Sequence, residues 1–251
     1  MPEVPVDHKY WERPHHQRIQ KLLAAFDGEF LLANGCYFGG GTAIVLALGE
    51  YRESLDVDFV CASREGYRAV RNTVQPASLG RLLKAPVELL RDVRTDQYGV
   101  RTFARVDGVS IKIELISENR IEVEGGISRA LGVPVLSKAD MQAEKLLANA
   151  DRGLDRAFHS RDIIDLAMTI PAWGHPTKDV WDKVKGAYGE NVVERFDQAR
   201  QMVCDDVYLN SCLTAMWMDL ALGPKIQDTL GCRREPKAAP AAAPESPSLE
   251  F

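Results

Sequence analysis

No apolar run in this 251-residue chain is long enough to cross a bilayer. The first ten residues are polar and hold no apolar signal core. The expected setting is therefore the cytoplasm, with no membrane. Positive charge is also short: 31 Lys and Arg stand against 36 Asp and Glu, for a formal net charge of -5. That excludes a general basic coat for nucleic acid and leaves room only for a local patch. The 5 cysteines (Cys36, Cys61, Cys204, Cys212 and Cys232) are odd in number, and no pair has the spacing of a metal site. Reduced thiols are the expectation. His15 and His16 have no nearby carboxylate or cysteine to complete a metal site, so they read as solvated residues at the start of a helical stretch over residues 16–30, where Ile19, Leu22, Leu23 and Phe26 recur at helical spacing. What is present is ample apolar material. A hydrophobic content of 45% supports one large or two small domains with a real core.

The chain is organised around residues 38–60. Phe38-Gly39-Gly40-Gly41-Thr42 is a glycine turn that opens an apolar helix, and Leu55-Asp56-Val57-Asp58-Phe59 follows as a strand. Alternate strand residues share a side, so Asp56 and Asp58 project together while Leu55, Val57 and Phe59 face a core. Two adjacent carboxylates repel unless something neutralises them. A hard cation such as Mg²⁺, held by one or two carboxylates plus substrate phosphates, is the usual partner. Backbone N–H groups at a glycine-rich helix start form an anion site. Phosphate cradle and metal carboxylates together point to phosphoryl or nucleotidyl transfer.

Further on, residues 99–105 alternate, Asp107-Gly108 signals a tight turn, and residues 109–116 alternate again, which predicts a hairpin. Val109, Ile111, Ile113 and Leu115 share one face of its second strand, and Ser110, Lys112 and Glu114 the other. Residues 63–105 carry nine basic side chains, among them Arg64, Arg68, Arg71, Arg81, Lys84, Arg101 and Arg105, against four acidic ones. They read either as a track for a phosphate backbone or as a mixed-charge solvated surface. Residues 77–83 read as a helix, and residues 171–176 as a turn. Ser137 and Asp140 form a cap before a helix running to about Asn149, and residues 161–166 begin the next. Residues 180–188, 192–203 and 208–220 are helical, with Trp173, Trp181 and Trp217 as packing residues.

Gly40-Gly41-Thr42 followed by Asp56-Val57-Asp58 resembles the signature of polymerase-β-type nucleotidyltransferases. The wording Gly-Gly-Thr-Ala, then Tyr51-Arg52-Glu53-Ser54-Leu55-Asp56-Val57-Asp58-Phe59, is similar to the AbiEii/AbiGii toxin branch, which contains toxins of type IV toxin–antitoxin systems. Ala143-Glu144-Lys145-Leu146-Leu147-Ala148, Arg152 and Arg161-Asp162-Ile163-Ile164-Asp165-Leu166 are similar to the family's later motifs. The resemblance spans residues 38–166 in pieces. It implies an α+β fold: a polymerase-β-like nucleotidyltransferase domain with a small mixed sheet and flanking helices over residues 1–134, then a helical part over 135–232. A Pro/Ala-rich disordered tail over 233–251 follows from composition. The resemblance further implies that Asp56, Asp58 and Glu114 bind Mg²⁺, and that Gly40, Gly41 and Thr42 cradle the phosphates of an NTP. Lys145 would contact those phosphates, with Asp162 orienting it or acting as a further acid; the alternative is a structural ion pair between packed helices. Asp165 reads as structural. The implied reaction moves an NMP to an acceptor hydroxyl, with RNA, in particular tRNA, as acceptor and an antitoxin as partner. A small molecule or a protein side chain as acceptor, and a non-catalytic binding protein, stand as the other readings.

Overall fold

The computed structural model describes residues 11–232, so the first ten residues and the expected tail lie outside the described residues. Two helices come first, α1 (Pro14–Ala24) and α2 (Gly28–Ala33). The sheet region follows, with β1 (Cys36–Gly39), α3 (Gly40–Ala47), β2 (Val57–Cys61), α4 (Arg64–Thr73), β3 (Glu88–Leu89), β4 (Arg94–Thr95), β5 (Gly99–Val106), β6 (Val109–Ser117), β7 (Gly125–Ile127) and β8 (Pro134–Leu136). Six helices complete the described chain: α5 (Lys138–Arg152), α6 (Arg161–Trp173), α7 (Lys178–Tyr188), α8 (Asn191–Val203), α9 (Asp206–Ala215) and α10 (Gly223–Thr229).

The sheet is mixed, in the order β3-β5-β6-β2-β1-β8-β7, with β4 also on β5. Its centre forms as the alternation dictates. Val57 and Phe59 on β2, and Ile111, Ile113 and Leu115 on β6, are fully buried. Phe59 packs on Phe26 and Phe38, with ring centroids 4.9 and 5.7 Å apart. The hairpin turns at Asp107-Gly108, both at positive φ (49° and 78°), the backbone that matches strand twist in a two-residue loop. β2 runs parallel to β6 and places Asp58 opposite Glu114, while β1 runs antiparallel to β2 and places Gly39 opposite Asp58. Ser137 caps α5 as the sequence indicates, its hydroxyl accepting from the Asp140 N–H at 3.1 Å. Sheet gives way to helices at Ser137, directly after β8. Arg120, just past β6, joins the two parts by donating to Glu144, Asp151 and the Tyr188 hydroxyl.

Several local expectations change. Residues 16–30 make two helices, because the Asp27 carboxylate accepts from the Phe30 N–H at 2.9 Å and starts α2 afresh. Residues 77–83 hold only a 3₁₀ turn, Gly80–Leu82. Gly80 sits at φ +55, and a Cβ there would meet the Thr73 carbonyl oxygen at 1.9 Å, so the chain turns where a helix was expected. Helix α6 runs through Pro171 to Trp173, and Gly174 at φ +86 ends it. A proline so near the end forfeits little of the ladder. The expectation of reduced thiols is also corrected. Cys36 faces Cys61 across β1 and β2 and is bonded to it, and Cys204 is bonded to Cys232, leaving Cys212 free and buried. Both partners lie far along the chain, which spacing alone does not show.

Candidate active site

The glycine turn lies where β1 ends and α3 begins, against β2. Gly40 has φ +67, and a Cβ there would stand 2.6 Å from Asp58 Oδ2. Only glycine lets this backbone approach that carboxylate so closely. A Cβ on Gly41 would stand 2.3 Å from Arg52 Nη2. The Thr42 hydroxyl is buried and used locally. It donates to the Asp56 carbonyl at 2.6 Å and shares a 2.8 Å hydrogen bond with Ser54, so it ties the start of α3 to the approach of β2.

Asp58 is on β2, whereas Asp56 precedes it. The core role expected of Leu55 is corrected: its side chain is 55% exposed, because the strand begins only at Val57. Burial, then the charges of Asp56 and Glu114, push the Asp58 carboxyl up to about 6, with Lys112 and Lys145 opposing. These acids and lysines therefore lie close enough to act on one another. Glu114 stands one strand over and is already engaged. It accepts from Arg101 Nε at 3.0 Å and pairs with Lys112. Among the described residues no group of three His, Cys, Asp or Glu is arranged to hold a metal ion. Asp56 and Asp58 by themselves fit a hard cation: both are oxygen donors, and the crowding that raises Asp58 is what a cation would relieve. Glu114 does not share that fit, since Arg101 and Lys112 already supply its counter-charge.

Helices α5 and α6 bring the cationic side of the site. Lys145 Nζ lies 2.9 Å from Asp162 Oδ1 and 2.6 Å from Asp165 Oδ2. Arg152 Nε and Nη2 donate to Asp162 at 2.7 and 3.0 Å. Burial would raise Asp162, yet Lys145 and Arg152 hold its carboxyl well below the usual range. Asp165 is likewise pulled down to about 2 by Arg52 and Lys145 against the effect of burial. Three cations share two carboxylates here, so one positive charge is in excess on the side that acts on Asp58.

The segment entering Asp56 is held from the N-terminus. His16 is fully buried, its Nε2 accepting from the Ser54 N–H at 3.1 Å. Its Nδ1 therefore carries the proton, donated to Glu50 at 2.7 Å. His15 Nε2 lies 3.0 Å from the Leu55 carbonyl oxygen. The reading of these histidines as solvated is thus corrected: they pin the loop before β2. Trp217 differs as well, being 72% exposed at φ +59, while Trp173 and Trp181 pack against the core as expected. Sequence reasoning placed Gly40, Gly41, Asp58 and Lys145 in one neighbourhood, and the fold brings them there. It passed over Arg52, although Arg52 stands four residues before Asp56 within the motif itself.

A glycine turn against a carboxylate-bearing central strand of a mixed sheet defines the class, a nucleotidyltransferase-type fold. A crystal structure of a candidate nucleotidyltransferase from H. pylori superposes with a TM-score of 0.50 at 15% identity, covering 86% of this chain and 92% of that one. The crystal structure of JHP933 from Helicobacter pylori gives 0.48 at 16% identity, covering 86% and 89%. No curated protein matches the sequence. The family model of the AbiEii nucleotidyl transferase toxins of type IV toxin–antitoxin systems matches residues 21–208, and the chain belongs to that family.

Proposed function

We propose that the protein transfers a nucleoside monophosphate from an NTP to an acceptor hydroxyl, that the acceptor is RNA, in particular tRNA, and that the reaction is the toxic activity of a toxin–antitoxin pair. The observation that carries the reading is the meeting of Gly40, Asp58 and the Lys145 cluster around one strand end. In the transfer, the acceptor oxygen forms a bond to the α-phosphorus as the bond to the β-phosphate oxygen breaks, and pyrophosphate leaves. Backbone N–H groups of the Gly40-Gly41-Thr42 turn hold the leaving phosphates. Lys145 offsets their charge, and Asp162 keeps Lys145 charged and aimed. Glu114 stands beside Asp58 to receive the acceptor proton, with Arg101 and Lys112 fixing its carboxylate. Asp56 and Asp58 would hold Mg²⁺, which supplies charge neutralisation of the phosphates when bound.

NTPs and tRNA place this reaction in the cytoplasm. No helix among the described residues is long and apolar enough to cross a membrane. A cognate antitoxin completes the system by family membership. The test is incubation with each α-³²P-NTP, Mg²⁺ and total tRNA, beside Asp58→Ala protein. Label entering RNA with the wild type alone supports the reading. Label in a small molecule or in protein moves the acceptor, and absence of transfer with metal-independent NTP binding leaves a non-catalytic protein.

A further inference from the structure

Asp165, one turn past Asp162 on α6, is fully buried, and each of its polar contacts leads back to the site. Its Oδ1 accepts from the Tyr51 hydroxyl and from Arg52 Nε, both at 2.7 Å. Its Oδ2 accepts from Arg52 Nη2 at 2.8 Å and lies 2.6 Å from Lys145 Nζ. Arg52 Nη1 donates to the Glu53 carbonyl at 2.8 Å. The guanidinium also lies against the glycine turn: a Cβ on Gly41 would stand 2.3 Å from Nη2 and 3.3 Å from Asp165 Oδ2. One carboxylate thus reaches Lys145 directly, and it reaches both the glycine turn and the segment entering Asp56 through a single planar fork.

We propose that Asp165 and Arg52 are positioning residues for the nucleotide: the Asp165 carboxylate aims the Lys145 ammonium, and the Arg52 fork sets the Gly40-Gly41 turn at a fixed distance from it. The proposal rests on the nucleotidyltransferase reading of the site. The chemistry supports a geometric role. A lysine is a point charge on a flexible stem, and fixing it takes more than one acceptor. Asp162 alone would have to serve both Lys145 and Arg152. A buried ion pair gains little stability over an apolar pair of the same volume, so what this one contributes is orientation. Arg52 is suited to the second task, because its rigid fork fills the space that Gly41 leaves open and lysine could not span it.

The test uses the full chain with Asp165→Asn, Asp165→Glu, Arg52→Lys and Lys145→Ala, each confirmed folded by circular dichroism and gel filtration. Asp165→Asn is expected to lower kcat on the order of 10- to 100-fold. In a Lys145→Ala background the same change is expected to lower it less than about twofold, because it acts through that lysine. Multiplicative losses, or full recovery of kcat at lower temperature as the folded fraction rises, would overturn the proposal in favour of simple structural support. Arg52→Lys keeps the charge and is expected to raise the KM for NTP about tenfold, since the turn loses its support; an unchanged KM counts against the second half. A readout free of activity is the ¹⁵N signal of a held lysine ammonium, assigned by its loss in Lys145→Ala. It is expected in the wild type and absent in Asp165→Asn, and its persistence there overturns the proposal even if the wild type transfers no nucleotide. In that last case the nucleotidyltransferase reading fails separately.

Discussion

Two carboxyls of this molecule, half-buried Asp58 and fully buried Asp165, are shifted in opposite directions. Burial disfavours the charged form of both. Asp58 rises to about 6 because burial is joined by the like charges of Asp56 and Glu114, whereas Asp165 falls to about 2 because Arg52 and Lys145 outweigh its burial. The difference separates a cluster short of positive charge from one that already has it. The first is arranged to take a cation with its phosphates, and the second to hold its own side chains still. The sign of the shift is set by partners, since burial pushes both carboxyls the same way.

Removing one carboxylate from each cluster separates the two roles. Asp58→Ala should cut nucleotide transfer on the order of 10³-fold while leaving the melting temperature equal or higher, because it removes crowded like charge. A large loss of stability without loss of specific activity would reverse the roles. Asp165→Ala should instead destabilise the fold by about 3–5 kcal/mol in urea unfolding, because it strands Arg52 and Lys145 without their counter-charge. A loss under about 1 kcal/mol would show that water replaces the carboxylate.

The pH dependence sharpens the same contrast. The folded value of Asp165, about 2, lies below the value of an unfolded aspartate. Its stabilising contribution is therefore fully present above about pH 4 and is lost as pH falls toward 2. Roughly 2 kcal/mol of the gap between wild type and Asp165→Asn should disappear across that window in unfolding titrations. Mg²⁺ provides a gentler probe. Millimolar Mg²⁺ should raise the melting temperature of the wild type by a few degrees and leave Asp58→Asn unmoved, because binding stabilises only the fold that holds the ion. The smallest effect belongs to the rim: Lys112→Ala should cost under about 1 kcal/mol, since its pair with Glu114 is partly exposed.

Much of the frame could be read along the chain. The hairpin around Asp107-Gly108, the core face of β6, the Ser137 cap and the order of glycine turn, acidic strand and lysine helix all follow from local rules. The polar face of β6 was legible too, although the partners of Glu114 were not. Lys112 shares its strand face by alternation, but Arg101 arrives only through the register of β5 on β6. The histidines were misread for a related reason. Their partners, Glu50, Ser54 and Leu55, lie more than thirty residues away, and no metal-like spacing advertises a histidine that holds a loop.

By itself, the sequence determined which residues could carry charge and phosphate contacts, because turn chemistry, strand alternation and helix caps act over a few residues. Tertiary structure decided which charges meet. Asp165 and Arg52 are separated by 113 positions, and Lys145 and Asp162 sit on different helices. A pair at that separation forms only when the sheet has set the spacing of α3, α5 and α6, so the division of the acids into a crowded pair and a saturated pair belongs to packing.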